Sequence, residues 1–283
     1  MDQRIINLYD EYTHAPLSRT VFLHRLALLT GSMSAAMAIL PQIEVSARNA
    51  SITASNDLHT EYITWPGVNG EMKGYLARPK EEKPYGTVLV IHENRGLNAH
   101  IEDVTRRAAK AGFLALAPNA LAPLGGTPAS NDEARAKFQE LKPEESLQNF
   151  LSAFKVLAKR SDSNGKFGCV GFCWGGAMAN NLAVNSPELK AAVAFYGRAA
   201  AVADVPKIKA ALQLHYASLD SRINEAIPAF EAALKEHKKE YELYMYENVN
   251  HAFHNDTAPA RYNKEAATLA WSRTLAFFQK HLT

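Results

Sequence analysis

The chain is expected to fold as an α/β domain, a mostly parallel sheet with helices on both faces, and three observations predict it. Short apolar runs suited to strands alternate with helix-forming segments from Thr87 to the C-terminus. Those runs are apolar on both faces, as strands buried on both sides must be. Residues able to do chemistry, His92-Glu93, Cys173, Asp220 and His251, each fall at or just past the end of such a run, and right-handed crossovers bring all those ends to one sheet edge.

Composition narrows the function classes. The 283 residues are 47% hydrophobic and carry a net charge of +2, enough for one large domain and an extension, and too few for two full enzyme domains. Basic residues are scattered with no stripe for phosphates to follow, so nucleic acid is not an expected partner. The two cysteines, Cys169 and Cys173, lie about 13 Å apart along one predicted strand and cannot pair without breaking it.

The first 55 residues differ from the rest and are set apart as an extension, leaving 56–283 as the catalytic domain. Leu26–Leu40 has the length of a signal-peptide apolar region and is too short for an ordinary membrane span. Ser18-Arg19-Thr20-Val21-Phe22-Leu23 resembles a twin-arginine export signal with Thr20 in place of the second arginine, and Val45-Ser46-Ala47 could serve for cleavage. Alternatively, Phe22, Leu26 and Leu29 recur at helical spacing, so the segment is an uncleaved arm packed on its own domain or on a second copy in a homodimer. The arm, and with it a cytoplasmic location, is the favoured expectation. No stable membrane insertion is expected.

Past a polar linker, Ser51–His59, the domain opens with a hairpin, Glu61–Trp65 and Met72–Ala77 around Gly67-Val68-Asn69-Gly70. Then come strand Thr87–His92, helix Ile101–Ala111, strand Phe113–Pro118, a loop Asn119–Ser130, and helices Asn131–Leu141 and Pro143–Ser161. Strand Phe167–Phe172 leads into helix Gly175–Val184. Strands Leu189–Tyr196, Ala210–Tyr216 and Glu240–Tyr246 follow, with one helix Ile223–His237 among them and a last from Arg261 to His281.

Everything is organised around Gly171-Phe172-Cys173-Trp174-Gly175-Gly176, the pattern of a nucleophile elbow with cysteine as the nucleophile. A nucleophile on a tight strand-to-helix turn needs small neighbours for the turn to close. A buried structural cysteine is the alternative, but chain order argues against it: nucleophile, acid, histidine is the order of α/β-hydrolase triads. His251 is the expected base. Asp220 is expected to hold the imidazole in the productive tautomer, while Ser221 caps the following helix, since one carboxylate could hardly do both. Glu93, beside the thiol, is expected to repel the thiolate and keep Cys173 protonated at rest, with Arg95 as its alternative partner. The oxyanion donors are the backbone N–H groups of Trp174 and Asn94. No H-E-x-x-H or cysteine-rich ligand set occurs, so no metal or cofactor is expected.

The set His92-Glu93-Asn94-Arg95-Gly96-Leu97, Gly171-Phe172-Cys173-Trp174-Gly175-Gly176, a later aspartate and Asn250-His251-Ala252-Phe253 resembles the dienelactone hydrolase (carboxymethylenebutenolidase) family from about Trp65 onward. The resemblance implies a Cys173-His251-Asp220 triad, a restraining Glu93, no cofactor, and hydrolysis of an ester or lactone through a thioester. Members acting on dienelactone are expected to hold its carboxylate with two arginines. This chain has Asn119-Ala120-Leu121-Ala122-Pro123 at one place and Asn255 at the other. An uncharged pocket lined by Leu121, Trp174 and Tyr196 is therefore expected, with Arg95 and His254 as candidate carboxylate partners. The competing functions are hydrolysis of another electrophile such as a phosphotriester, and a non-enzymatic thiol sensor or binding protein.

Overall fold

The computed structural model describes residues 1–15, 17–44 and 52–283; the proposed cleavage site Val45-Ser46-Ala47 lies outside the described residues. Eight strands form one sheet in the order β1-β2-β4-β3-β5-β6-β7-β8. Strands β1 (Leu58–Pro66) and β2 (Glu71–Pro79) make the antiparallel hairpin, and β2 pairs antiparallel with β4 (Leu114–Pro118). All further pairs are parallel: β4 with β3 (Tyr85–Ile91), then β5 (Ser163–Phe172), β6 (Leu189–Phe195), β7 (Ala211–Ala217) and β8 (Tyr241–Tyr246).

Strands β3, β4 and β7 are buried at every position because both of their faces are covered. In β3, Leu89 and Ile91 enter one core while Val88 and Val90 enter the other, as the two-residue strand period demands. Helices α6 (Pro143–Leu157), α7 (Trp174–Asn185) and α9 (Ile227–Glu236) cover the first face; α4 (Ala99–Lys110) and α10 (Lys264–Leu282) cover the second. A short helix α5 spans Asn131–Gln139.

Two helical expectations are corrected. The helix expected over Ile223–His237 is two pieces, α8 (Ser221–Asn224) and α9, the second restarting with Pro228 in its first turn, where a missing N–H costs nothing. The final helix begins at Lys264 because the Asn263 side chain accepts the Ala266 N–H and caps it there.

The N-terminal segment is three helices, α1 (Gln3–His14), α2 (Arg19–Thr30) and α3 (Met33–Ile43). Gly31, at φ 86°, turns the chain between α2 and α3 through 107°. No single helix among the described residues is long and apolar enough to cross a membrane. Phe22 and Leu26 are fully buried among Tyr9, Tyr12, Leu40 and Ile43 in a small core of their own, each such side chain contributing about 2 kcal/mol. Polar contacts join this arm to the large domain. Tyr12 donates to Asp132 at 2.5 Å, Arg19 reaches Asp132 at 3.0 Å, and the Arg135 guanidinium lies 4.1 Å from the Tyr12 ring centre.

Candidate active site

Strand β5 delivers Cys173 and helix α7 starts immediately behind it. Cys173 has φ 57°, a left-handed backbone that costs a non-glycine residue on the order of 1–3 kcal/mol and persists only where its surroundings enforce it. The glycines do the enforcing. A Cβ on Gly171 would sit 1.8 Å from the Gly175 carbonyl oxygen, and one on Gly175 would sit 2.3 Å from that of Ile91. The Cys173 N–H is spent on Phe195 O at 3.0 Å, whereas the Trp174 N–H is the first of the helix-terminal amides, which lack a partner four residues back.

His251, on the loop after β8, is 4% exposed and places Nδ1 2.5 Å from Asp220 Oδ2. The carboxylate accepts, so Nδ1 carries a proton, and Nε2 is buried with no hydrogen-bond partner among the described residues. Asp220 also caps α8, its Oδ1 accepting the Ile223 N–H at 3.4 Å. The division of labour expected between Asp220 and Ser221 is thus corrected: the two carboxylate oxygens serve the two roles, and Ser221 is already inside the helix.

The fourth element at the site is the arm. His14, the last residue of α1, puts Nε2 3.1 Å from Cys173 Sγ, and its ring stands edge-on to His251 with centroids 4.8 Å apart. Its Nδ1 lies 2.8 Å from the Asp10 carbonyl oxygen and 3.2 Å from Asp10 Oδ1. Burial pulls the His14 pKa down, but the Cys173 charge and the bond to Asp10 outweigh it and leave His14 above the ordinary histidine range. Burial alone raises Asp10, yet the charges of His251, His14 and Arg261 hold it well below the usual carboxylate range. Chain position hid both residues from sequence reasoning, since they lie outside the shared core; their four-residue spacing on a helix was the one signal available.

Glu93 follows β3 and is buried. Its Oε2 accepts from Asn255 Nδ2 at 2.8 Å, and its Oε1 has no hydrogen-bond partner among the described residues. Tyr196 lies beside it, and burial with the Glu93 charge raises the Tyr196 phenol well above its ordinary pKa. Arg95 makes no ion pair with Glu93 among the described residues; it turns toward the arm, 3.4 Å from Tyr9 Oη. Asn94 likewise holds the arm, its amide donating to Thr13 O at 2.7 Å.

A cleft of about 460 Å³ opens over Cys173, lined by Phe138, Trp174, Tyr196, Arg135, Arg198 and Arg222 among others. Trp174 is fixed there by stacking on His92 at 5.6 Å and by Phe138 edge-on at 4.8 Å. The expectation of an uncharged cleft is corrected: three guanidinium groups line it, brought in by α5, α8 and the loop after β6. Leu121 and His254 do not reach it. Leu121 is buried against Gly96, and His254 is stacked between Phe172 at 5.0 Å and Trp271 at 5.5 Å. The donor atoms of His14, Cys173 and His251 lie within 4.8 Å of one another.

An eight-stranded sheet of this order, with a thiol on its strand-to-helix elbow and an Asp–His pair at the same edge, defines an α/β hydrolase. The chain belongs to the dienelactone hydrolase family, whose family model matches residues 72–282. It is 30% identical over 280 residues to a candidate carboxymethylenebutenolidase of Methylorubrum extorquens, covering 94% of this chain and 96% of that one. It is 33% identical to another of Synechocystis, covering 80% of this chain and 98% of the relative. A crystal structure of a candidate dienelactone hydrolase from Klebsiella pneumoniae superposes with a TM-score of 0.72 at 27% identity, over 80% of this chain and 100% of that one.

Proposed function

We propose that this hydrolase opens carboxylic esters or lactones by thiolate attack from Cys173, through a thioester that water then cleaves. The observation that carries the proposal is the Cys173 backbone at φ 57° on a glycine-packed elbow. A cysteine with only a packing role has no need of that strain. In this reading the thiolate adds to the carbonyl carbon, the oxyanion is received by the N–H groups of Trp174 and Asn94, and the C–O bond breaks with protonation of the leaving oxygen. His251, oriented by Asp220, then deprotonates the water that hydrolyses the thioester. Glu93, in a site it shares with the thiol, disfavours the resting thiolate.

The cleft favours an aromatic or flat apolar group packed against Trp174 and Phe138, with a carboxylate or other anion toward its open side. Arg198 is exposed there and its side chain makes no ion pair among the described residues. The test is steady-state hydrolysis of p-nitrophenyl esters, enol lactones and aryl phosphotriesters by wild type and Cys173→Ala. Loss of all ester and lactone turnover in a variant that melts like wild type is the expected result. Retained ester turnover refutes the nucleophile, and turnover confined to phosphotriesters moves the chain to another substrate class.

A further inference from the structure

We propose that His14 is a catalytic residue: the arm brings a second imidazole–carboxylate pair, Asp10–His14, onto the Cys173 thiol, and His14 rather than His251 takes the thiol proton. The inference rests on Cys173 being the nucleophile, and it divides between two histidines the work that one performs in an ordinary triad.

Two imidazoles face one sulfur. His14 Nε2 stands at hydrogen-bonding distance, 3.1 Å from Sγ, while His251 Nε2 has no hydrogen-bond partner among the described residues. The tautomer of His14 is fixed from behind. Its Nδ1 faces the Asp10 carbonyl oxygen at 2.8 Å, an acceptor only, so Nδ1 carries the proton and Nε2 offers a lone pair to S–H. Once the proton has moved, the same contact becomes an imidazolium donating to a thiolate, the stronger charge-assisted form.

The charges around His14 support that transfer. Asp10 is on its own helix, Cys173 heads α7, His251 and Glu93 come from the loops after β8 and β3, and Arg222 and Arg261 approach Asp10 at 3.5 Å and 3.8 Å. His251, His14 and Arg261 together hold Asp10 in the carboxylate form, and Asp10 in turn stabilises a cationic His14. Glu93 opposes the thiolate but also favours the neighbouring imidazolium. The loop that supplies Asn94 to the oxyanion site binds Thr13 O at 2.7 Å, so the placement of His14 and of the oxyanion donor are tied together.

The steps balance with each histidine cycling once. The S–H bond breaks as His14 Nε2–H forms; the thiolate adds to the carbonyl carbon; the C–O bond breaks and the leaving oxygen takes the proton from His14. His251 then removes a proton from water, hydroxide adds to the thioester, the C–S bond breaks, and sulfur recovers its proton from His251. His14 governs acylation and His251 governs deacylation.

Stopped-flow hydrolysis of p-nitrophenyl acetate by the full-length chain separates the two. His251→Gln should give a burst of about one equivalent of p-nitrophenol followed by slow turnover, with the acyl-enzyme visible as added mass. His14→Ala should lose the burst rate by roughly 100-fold and regain part of it with added imidazole, which a merely structural role cannot explain. Asp10→Asn, which leaves the ring in place, should show a smaller loss in the same direction, so a misfolded His14→Ala does not end the test. An unchanged or faster burst in both His14→Ala and Asp10→Asn overturns the proposal and makes the arm a plug. One equivalent of zinc bound to wild type and lost from His14→Ala overturns it as well, by making His14 a metal ligand. Cys173→Ala with a wild-type burst overturns the nucleophile itself, a separate result.

Discussion

At the residue scale, the distinctive feature is a thiol facing a buried carboxylate as well as two imidazoles. Glu93 is oriented by a neutral amide, Asn255, and no arginine pairs with it among the described residues. Neutralising it removes a repulsion from the thiolate. Glu93→Gln, which can still meet Asn255 after rotating its amide, should therefore alkylate faster with iodoacetamide at neutral pH and lose activity faster to peroxide. Alkylation at the wild-type rate or slower would show that Glu93 only shapes the loop. Cys169 supplies the internal control: burial in the middle of β5 pushes its thiol far above the ordinary range, so mass spectrometry should find the label on Cys173 alone.

At the element scale, the arm is both a small core and a side of the active site. Helices α1 to α3 bury Phe22 and Leu26 among themselves, and α1 ends with His14 on the Cys173 thiol. Removing residues 1–17 should uncover the faces now occupied by Tyr9 and Tyr12, lower solubility or cause self-association, and reduce ester turnover at least as much as His14→Ala does. Size-exclusion chromatography and activity measured on the same preparation check both halves. A truncated chain that is monomeric and fully active would show the arm to be dispensable, as an export segment is.

At the scale of the whole molecule, stability should depend on pH through histidines buried in the neutral state. Burial lowers the pKa of His92 to about 4 and, with the Arg273 charge, that of His215 to about 3; burial and neighbouring positive charge hold His254 well below its ordinary value. These groups bind a proton in the unfolded chain before they do so in the folded one. Their contribution is complete above pH ~6.5 and is lost as pH falls, with His92 and His215 each costing on the order of 2 kcal/mol by pH 5. His14 works in the opposite sense, adding stability at low pH that fades as pH rises, but it is one group against three. Asp10 and Asp256 are held low enough that their losses come only below about pH 4. Urea denaturation at pH 7 and pH 5 should therefore show a drop of several kcal/mol, and equal stability at the two values would mean that these histidines are hydrated in the folded chain.

The sheet and its helices are legible in the residues alone, because each follows from local physics. Strands such as Tyr85–Ile91, with an unbroken apolar run from Val88 to Ile91, declare double burial, and Gly171 and Gly175 mark a turn that no side chain could share. Whatever depends on segments distant along the chain had to wait for their packing. That His14, backed by Asp10, meets Cys173 requires the path of the arm, which no periodicity within α1 reveals. That Arg135, Arg198 and Arg222 line one cleft while Leu121 and His254 are buried elsewhere is set by how α5, α8 and the loop after β6 close over the elbow. Local patterning fixes which face of an element is buried; packing fixes which charges face one another, and in this molecule packing alone sets His14 against Cys173.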